Sequence, residues 1–209
     1  MPRQPPPFWS FLGLLLAAQA LDLLVSRRVA WGPIADEQGQ QNALDVLSSV
    51  SNWAFAATLV VAVACELLRV RPRLLIGAMA AYLAVATLNL LLSVLALVAT
   101  AQLRQVERLS LLWDVGLVYL TSVIVFALWY RLLDGESRGQ AIEFPVDPSR
   151  PERLPGWIDY VFLSFNTNAT FGPTAEIVHA PAAKLLMMVQ TTLSLLVLVV
   201  LLARIAGLS

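Results

Sequence analysis

Cysteine, histidine and lysine each occur once, as Cys65, His179 and Lys184. A lone cysteine inside an apolar run excludes an intramolecular disulfide and a thiolate metal cluster. A lone histidine without a ligand set at metal spacing gives no metal site. Charge is scarce as well, at 13% of residues, and 14 basic side chains cancel 14 acidic ones. No whole-chain field is left to recruit nucleic acid or an anionic substrate. Solenoid repeats are absent, and so is low-complexity sequence beyond the initial prolines, so one membrane domain suffices. What fills the chain instead is apolar: 58% of its residues are hydrophobic and the mean hydropathy is +0.73. That composition belongs to the membrane class rather than to soluble domains.

A helix needs about 20 apolar residues to cross the hydrocarbon core. Five runs approach or exceed this: Phe8 to Val25, Trp53 to Val70, Leu74 to Ala101, Leu109 to Leu133 and Ala182 to Ile205. Each is expected to be helical, because a helix satisfies its own backbone in lipid. The first run follows Arg3 but has no small-residue cleavage site and contains Asp22, so it reads as a retained span rather than a signal peptide. The RVRPR turn at 69–73 is short enough to make the second and third spans antiparallel neighbours, with Pro72 starting the next helix. Residues 38–49 read as a surface helix or turn before the second span.

The longest polar stretch, 133–156, carries four prolines and mixed charges and reads as a linker outside the membrane. After it comes WIDYVFLSF at 157–165, half a bilayer long, then the polar run NTNATFGPTAE at 166–176. The pattern allows two readings. One is a re-entrant half-helix, which requires surrounding protein or a water-filled cavity. The other is an interfacial amphipathic helix with Trp157 and Tyr160 as belt residues.

A span, a polar linker, a half-length helix ending YVFLSFNTNATFGPT and a final span beginning PAAKLLMMVQ together resemble the pore module of tetrameric potassium channels. The matching residues are Ser164, Phe165, Thr167, Thr170, Gly172 and the closing LLARIAG. The resemblance implies an all-α membrane protein of about five transmembrane helices, with a re-entrant half-helix and loop between the fourth and fifth. Residues 1–108 would be peripheral spans. Residues 109–209 would form the pore-like module: outer helix, linker 134–156, half-helix 157–168, filter-like loop 169–176 and inner helix 182–206. The segments NATFGPTAE, AKLLMMVQ and VYLTSVIVFALWYRLLD also resemble a bacterial integral membrane family with no established activity.

The implied activity is passive monovalent cation permeation through a homotetramer in the lipid bilayer, expected in the bacterial cytoplasmic membrane. The arginine-for-lysine bias, a hint of a GC-rich bacterial genome, agrees. In such a pore, extended backbones aim carbonyls at the axis to replace the ion's hydration shell. Thr167, Asn168, Thr170 and Thr174 and the Gly172 carbonyl would then supply oxygens, with Phe171 and Pro173 completing the filter-like loop and Glu176 ringing the mouth. The loop departs from the family pattern: Pro173 stands at the aromatic position and Thr174 at the second glycine. Proline also removes an N–H and fixes φ near −65°. A plainer reading has Asn166, Asn168 and Thr170 capping the half-helix and tying down the loop.

Polar residues within spans are expensive and often functional. Asn89 and Asp114 lie deepest, whereas Asp22 and Glu66 near span ends can snorkel or pair with arginines. Ser164, His179 and Asp159 lack any nucleophile-elbow motif, so neither an enzyme nor a cofactor is expected. Two rival readings remain: a non-conducting relative that binds partners, and a carrier or enzyme built around Asp114. Orientation is divided. An inside N-terminus puts eight arginines inside and five outside, favouring that topology by the positive-inside rule, whereas the channel resemblance requires the reverse.

Overall fold

The computed structural model describes residues 8–28, 49, 52–53, 55–60, 72–100, 108–137, 139–145, 154–169, 172–173 and 175–206. In chain order the elements are α1 (Phe8–Arg28), α2 (Pro72–Thr100), α3 (Arg108–Glu136), β1 (Ile142–Glu143), α4 (Trp157–Asn168), β2 (Ile177–Val178) and α5 (Pro181–Ala206). Residues 52–53 and 55–60 are also helical. The rest of the second apolar run, the 69–71 turn, residues 38–48 and residues 146–153 of the linker lie outside the described residues.

The long helices fall on the apolar runs because continuous apolar sequence in lipid has no other way to pair its amides. Pro72 and Pro181 stand at the first positions of α2 and α5, where a missing N–H costs nothing and φ is already helical. Among the described residues three stretches are long and apolar enough to cross a membrane: Ile76–Leu95, Trp113–Glu136 and Pro181–Val199. They fit a membrane protein. In α1 only the shorter Leu15–Val25 stretch is apolar.

At the centre of the bundle is α3, which packs against α1, α2, α4 and α5. Its spanning stretch is 61% buried, against 22% for that of α5, so α5 leaves most of its surface for lipid or another chain. Tyr82, Phe126, Tyr130 and Leu163 are completely buried where these helices meet. Because lipid is as apolar as the core, association here rests on close packing and interhelical hydrogen bonds rather than on escape from water. Two such bonds join α1 to α2: Asn89 Nδ2 donates to Asp22 Oδ1 at 2.6 Å and the Tyr82 hydroxyl to Gln19 Oε1 at 3.2 Å. Gln19 Nε2 in turn donates to Asn52 Oδ1 at 2.8 Å, and Trp129 Nε1 on α3 donates to Thr87 Oγ1 on α2 at 2.9 Å.

The described residues are mostly helical, as expected, with one short strand pair that the sequence did not announce. β1 and β2 form a two-stranded antiparallel pair, with Ile142 opposite Val178 and Glu143 opposite Ile177. The polar 134–156 segment is thereby tied back to the head of α5 rather than left as a free linker, and its first residues, Asp134 to Glu136, complete α3. Gly139, at φ 75°, makes the left-handed turn that releases the chain from α3, donating its amide to Asp134 O at 2.7 Å. Such a turn suits glycine because it has no Cβ to clash.

Asp134 holds this end of the bundle together. Its Oδ1 accepts the amides of Ala141 and Ile142 at 3.2 Å each, and its Oδ2 accepts the Tyr160 hydroxyl at 2.8 Å. The Tyr160 ring packs edge-on against Phe144, with centroids 5.1 Å apart. Ala141 O accepts the amides of His179 and Ala180 at 2.9 and 3.2 Å. One carboxylate thus joins α3, β1 and α4, and β1 carries the connection to α5. On the exposed side His179 Nε2 meets Glu143 Oε2 at 3.1 Å, a partner that the sequence did not reveal and an exposed pair of small energetic weight.

Removing the hub should be costly. Asp134→Ala leaves two backbone amides and a phenol without their acceptor, and a loss of about 3 kcal/mol is expected in detergent unfolding, from about 1–3 kcal/mol per stranded buried group. The Tyr160 phenol is pushed up from its ordinary value by burial and then by the Asp134 charge and hydrogen bond. A group whose folded pKa is raised stabilises below its unfolded value and loses that contribution as pH rises, so the effect belongs above about pH 10. Unfolding measured from pH 8 to 12 should show stability falling on the alkaline side, and Tyr160→Phe should flatten that fall.

Candidate functional site

The polar segment singled out in the sequence begins with α4. Asp159 in its first turn accepts the Gly156 amide at 2.6 Å through Oδ2 and places negative charge at the helix N-terminus, where the dipole favours it. Tyr160, Leu163, Ser164, Thr167 and Asn168 turn inward, while Trp157, Ile158, Phe162 and Phe165 are exposed. The Phe165 ring also meets Tyr119 edge-on at 6.0 Å.

Two sets of contacts fix how far α4 runs along its neighbours. Near its start Tyr160 touches Asp134, and at its end Asn168 touches Ser122. Twelve residues of α3 separate those partners, about 18 Å at 1.5 Å per residue. Ser122 lies fourteen residues from Glu136 and nine from Trp113, well inside that apolar stretch. On α5 the partner of Asn168 is Ser194, thirteen residues past Pro181, or about 20 Å. The last turn of α4 therefore ends deep among apolar helices, where unpaired carbonyls would be expensive.

Side chains of the neighbouring helices meet that demand. Gln190 Nε2 donates to both Ser164 O and Ser164 Oγ at 2.9 Å, and the Tyr130 hydroxyl donates to Gln190 Oε1 at 2.6 Å. Ser164 Oγ donates to Val123 O at 2.8 Å. One turn further, Ser194 Oγ donates to Asn168 O, and Ser122 Oγ donates to Asn168 Oδ1 at 3.1 Å. Thr167 donates to Leu163 O at 2.9 Å within α4, and the Ala169 amide closes the helix on Phe165 O at 2.9 Å. Gln190 and Ser164 are completely buried.

The expected filter residues are thus distributed unevenly. Thr167 and Asn168 are buried among α3, α4 and α5, with Thr167 Oγ1 bonded to Leu163 O and Asn168 Oδ1 to Ser122. Gly172 has φ 68°, with nothing within 4 Å of where a Cβ would stand, and Pro173 is exposed. Thr170, Phe171 and Thr174 lie outside the described residues. Glu176, expected at a pore mouth, is buried, and its Oε2 accepts the Ala175 amide at 3.2 Å. Asn89 belongs to the α1–α2 contact with Asp22, and Asp114 is buried in the first turns of α3. Among the described residues no group of three or more His, Cys, Asp or Glu side chains comes together.

Below the end of α4 is a crevice lined by Leu90, Val94, Val118, Ser122, Asn168 and Ser194, with about 10 Å³ of free space. Among the described residues that space is barely the size of one water. Sequence reasoning missed Ser122, Tyr130, Gln190 and Ser194. The QTTLS sequence at 190–194, polar residues inside an otherwise apolar run, was the available signal.

Asn168→Ala removes the acceptor of Ser122. A loss of about 1 kcal/mol is expected, the scale of an interhelical hydrogen bond in a membrane protein, read as an earlier midpoint in denaturing-detergent titration of the reconstituted protein. No family model, curated protein or solved structure matches the chain.

Proposed function

We propose that the chain is a channel-like protein in which α4 is a re-entrant half-helix and the 169–176 segment lines a passive pathway for monovalent cations. That pathway lies at an axis shared by several copies, four by analogy with the potassium-channel pore module that residues 109–209 resemble. The observation that carries this reading is the depth of Asn168. A helix that begins beside Asp134 and stops beside Ser122 and Ser194 must send the chain back out to reach β2, which pairs with β1 at the level where α4 began. Eight residues, 169–176, make the return. Fully extended, they reach about 26–29 Å, enough to climb the roughly 18 Å that the twelve residues of α4 span.

Three physical features support cation passage. The C-terminal end of a helix carries about half a negative charge, and α4 brings that end into the apolar interior. Gly172 with positive φ lets successive carbonyls turn in a way that other residues resist. The largely uncovered surface of α5 leaves room for neighbouring copies. Pro173 contributes a carbonyl but no N–H, so strong selectivity among monovalent cations is not part of the proposal. In this reading Thr167 and Asn168 anchor the loop rather than touch ions, and the bacterial cytoplasmic membrane is the proposed location.

A non-conducting, partner-binding membrane protein is the second reading, favoured by the internal hydrogen bonds of Thr167 and Asn168 and by the burial of Glu176. Flux separates the two. Purified protein in proteoliposomes is expected to release trapped potassium. Gly172→Ala, which forces a Cβ into a left-handed conformation at a cost of about 1–2 kcal/mol, should cut the flux at least tenfold while the protein stays folded. Silence from correctly inserted, oligomeric protein would defeat the channel reading and leave the second.

A further inference from the structure

We infer that Gln190 and Ser194 of α5 are positioning residues for the 169–176 loop, setting the depth and orientation at which it leaves α4. The inference rests on the proposed pore reading for its functional meaning, but its geometry stands apart from it. Both residues donate to carbonyls of the last turns of α4, Gln190 to Ser164 O and Ser194 to Asn168 O. Each donor lies twenty-six residues after its acceptor. The two donors are one turn apart on α5 and the two acceptors one turn apart on α4, as two helices running in parallel require for bonds at successive turns. A matched pair fixes both the height of α4 against α5 and its rotation, which a single bond would not do.

The other side of each junction is held by α3. Tyr130 orients the Gln190 carboxamide by donating to its Oε1 at 2.6 Å, so that Nε2 faces α4. Ser122 fixes the Asn168 side chain from the opposite flank. The Asn168 carbonyl is one of the four at the end of α4 that the helix itself leaves unpaired, and the Ser164 carbonyl, one turn earlier, takes Gln190 as a donor beside its own helix; inside an apolar bundle such donors have few competing partners. Asn168 is the last residue of α4, and Gly172 follows four residues later. An error in the depth of Asn168 therefore passes directly into the loop. Each acts through the backbone of α4, to whose carbonyls it donates.

The test uses full-length protein in liposomes, with Ala175, an exposed loop residue, replaced by cysteine in a Cys65→Ser background. Maleimide labelling at 175 reads loop position, and current recordings read the potassium-to-sodium permeability ratio separately from total current. Gln190→Leu and Ser194→Ala are each expected to change the labelling rate severalfold and to shift the permeability ratio by more than the total current. Tyr130→Phe, which removes only the support of the Gln190 carboxamide, should do the same to a smaller degree and serves if Gln190→Leu fails to assemble. Unchanged labelling at 175 in Ser194→Ala and Tyr130→Phe overturns the inference. A parent protein without current defeats the pore reading alone, because the labelling rates still decide whether α5 positions the loop.

Discussion

A helix that stops among apolar neighbours leaves its last carbonyls with no water to turn to, and that demand shapes everything around α4. At a protein surface solvent would satisfy the end of such a helix, and nothing about adjoining helices would follow. At Asn168, beside the interior of α3, every acceptor needs a donor from the protein. Ser194 provides one for Asn168 from α5, Gln190 holds the Ser164 carbonyl a turn earlier, and Tyr130 and Ser122 hold the arrangement from α3. The register among three helices is therefore set by polar atoms, even though nearly all of the contact between them is apolar.

The same logic appears twice more. Between α1 and α2, Asp22, Asn89, Gln19 and Tyr82 satisfy one another inside the bundle. At the outer end of α3, Asp134 gathers two backbone amides and a phenol. Each interhelical bond in a membrane protein contributes only about 0.6 kcal/mol on average, so their weight lies in specificity. Apolar helices slide past one another at little cost, and a polar pair with a single good geometry stops them. The hub at Asp134 holds the head of α4, the Gln190–Ser194 pair holds its tail, and the 169–176 segment begins from a point fixed at both ends. The proposed cation pathway would need that rigidity, because carbonyl oxygens bind ions by position.

Most of the helical framework was legible in the sequence, for physical reasons that are local. Apolar runs of span length have to be helical in lipid, and α2, α3 and α5 lie on the runs beginning at Leu74, Leu109 and Ala182. Prolines 72 and 181 mark starts because of what proline lacks. A half-length helix from Trp157 was legible from the abrupt change to NTNATFGPT. The strand pair was not, because two residues on each strand carry no period and their pairing joins positions 36 apart, Ile142 with Val178. Nor was the partner of His179, for the same reason.

The sequence by itself determined that the chain is apolar enough to live in a membrane, where its long helices lie, and that a polar segment interrupts them between 166 and 176. Only the tertiary structure decided what those polar residues do. Asn168 and Thr167 look like ion ligands when written in a line, yet folding turns them inward against Ser122, Ser194 and Leu163. Gln190, unremarked in the sequence, becomes the donor for a buried helix end. Side-chain composition fixes the medium in which a segment is stable. Which oxygen faces which donor depends on helix depth and rotation, and those are settled by contacts between residues far apart in the chain.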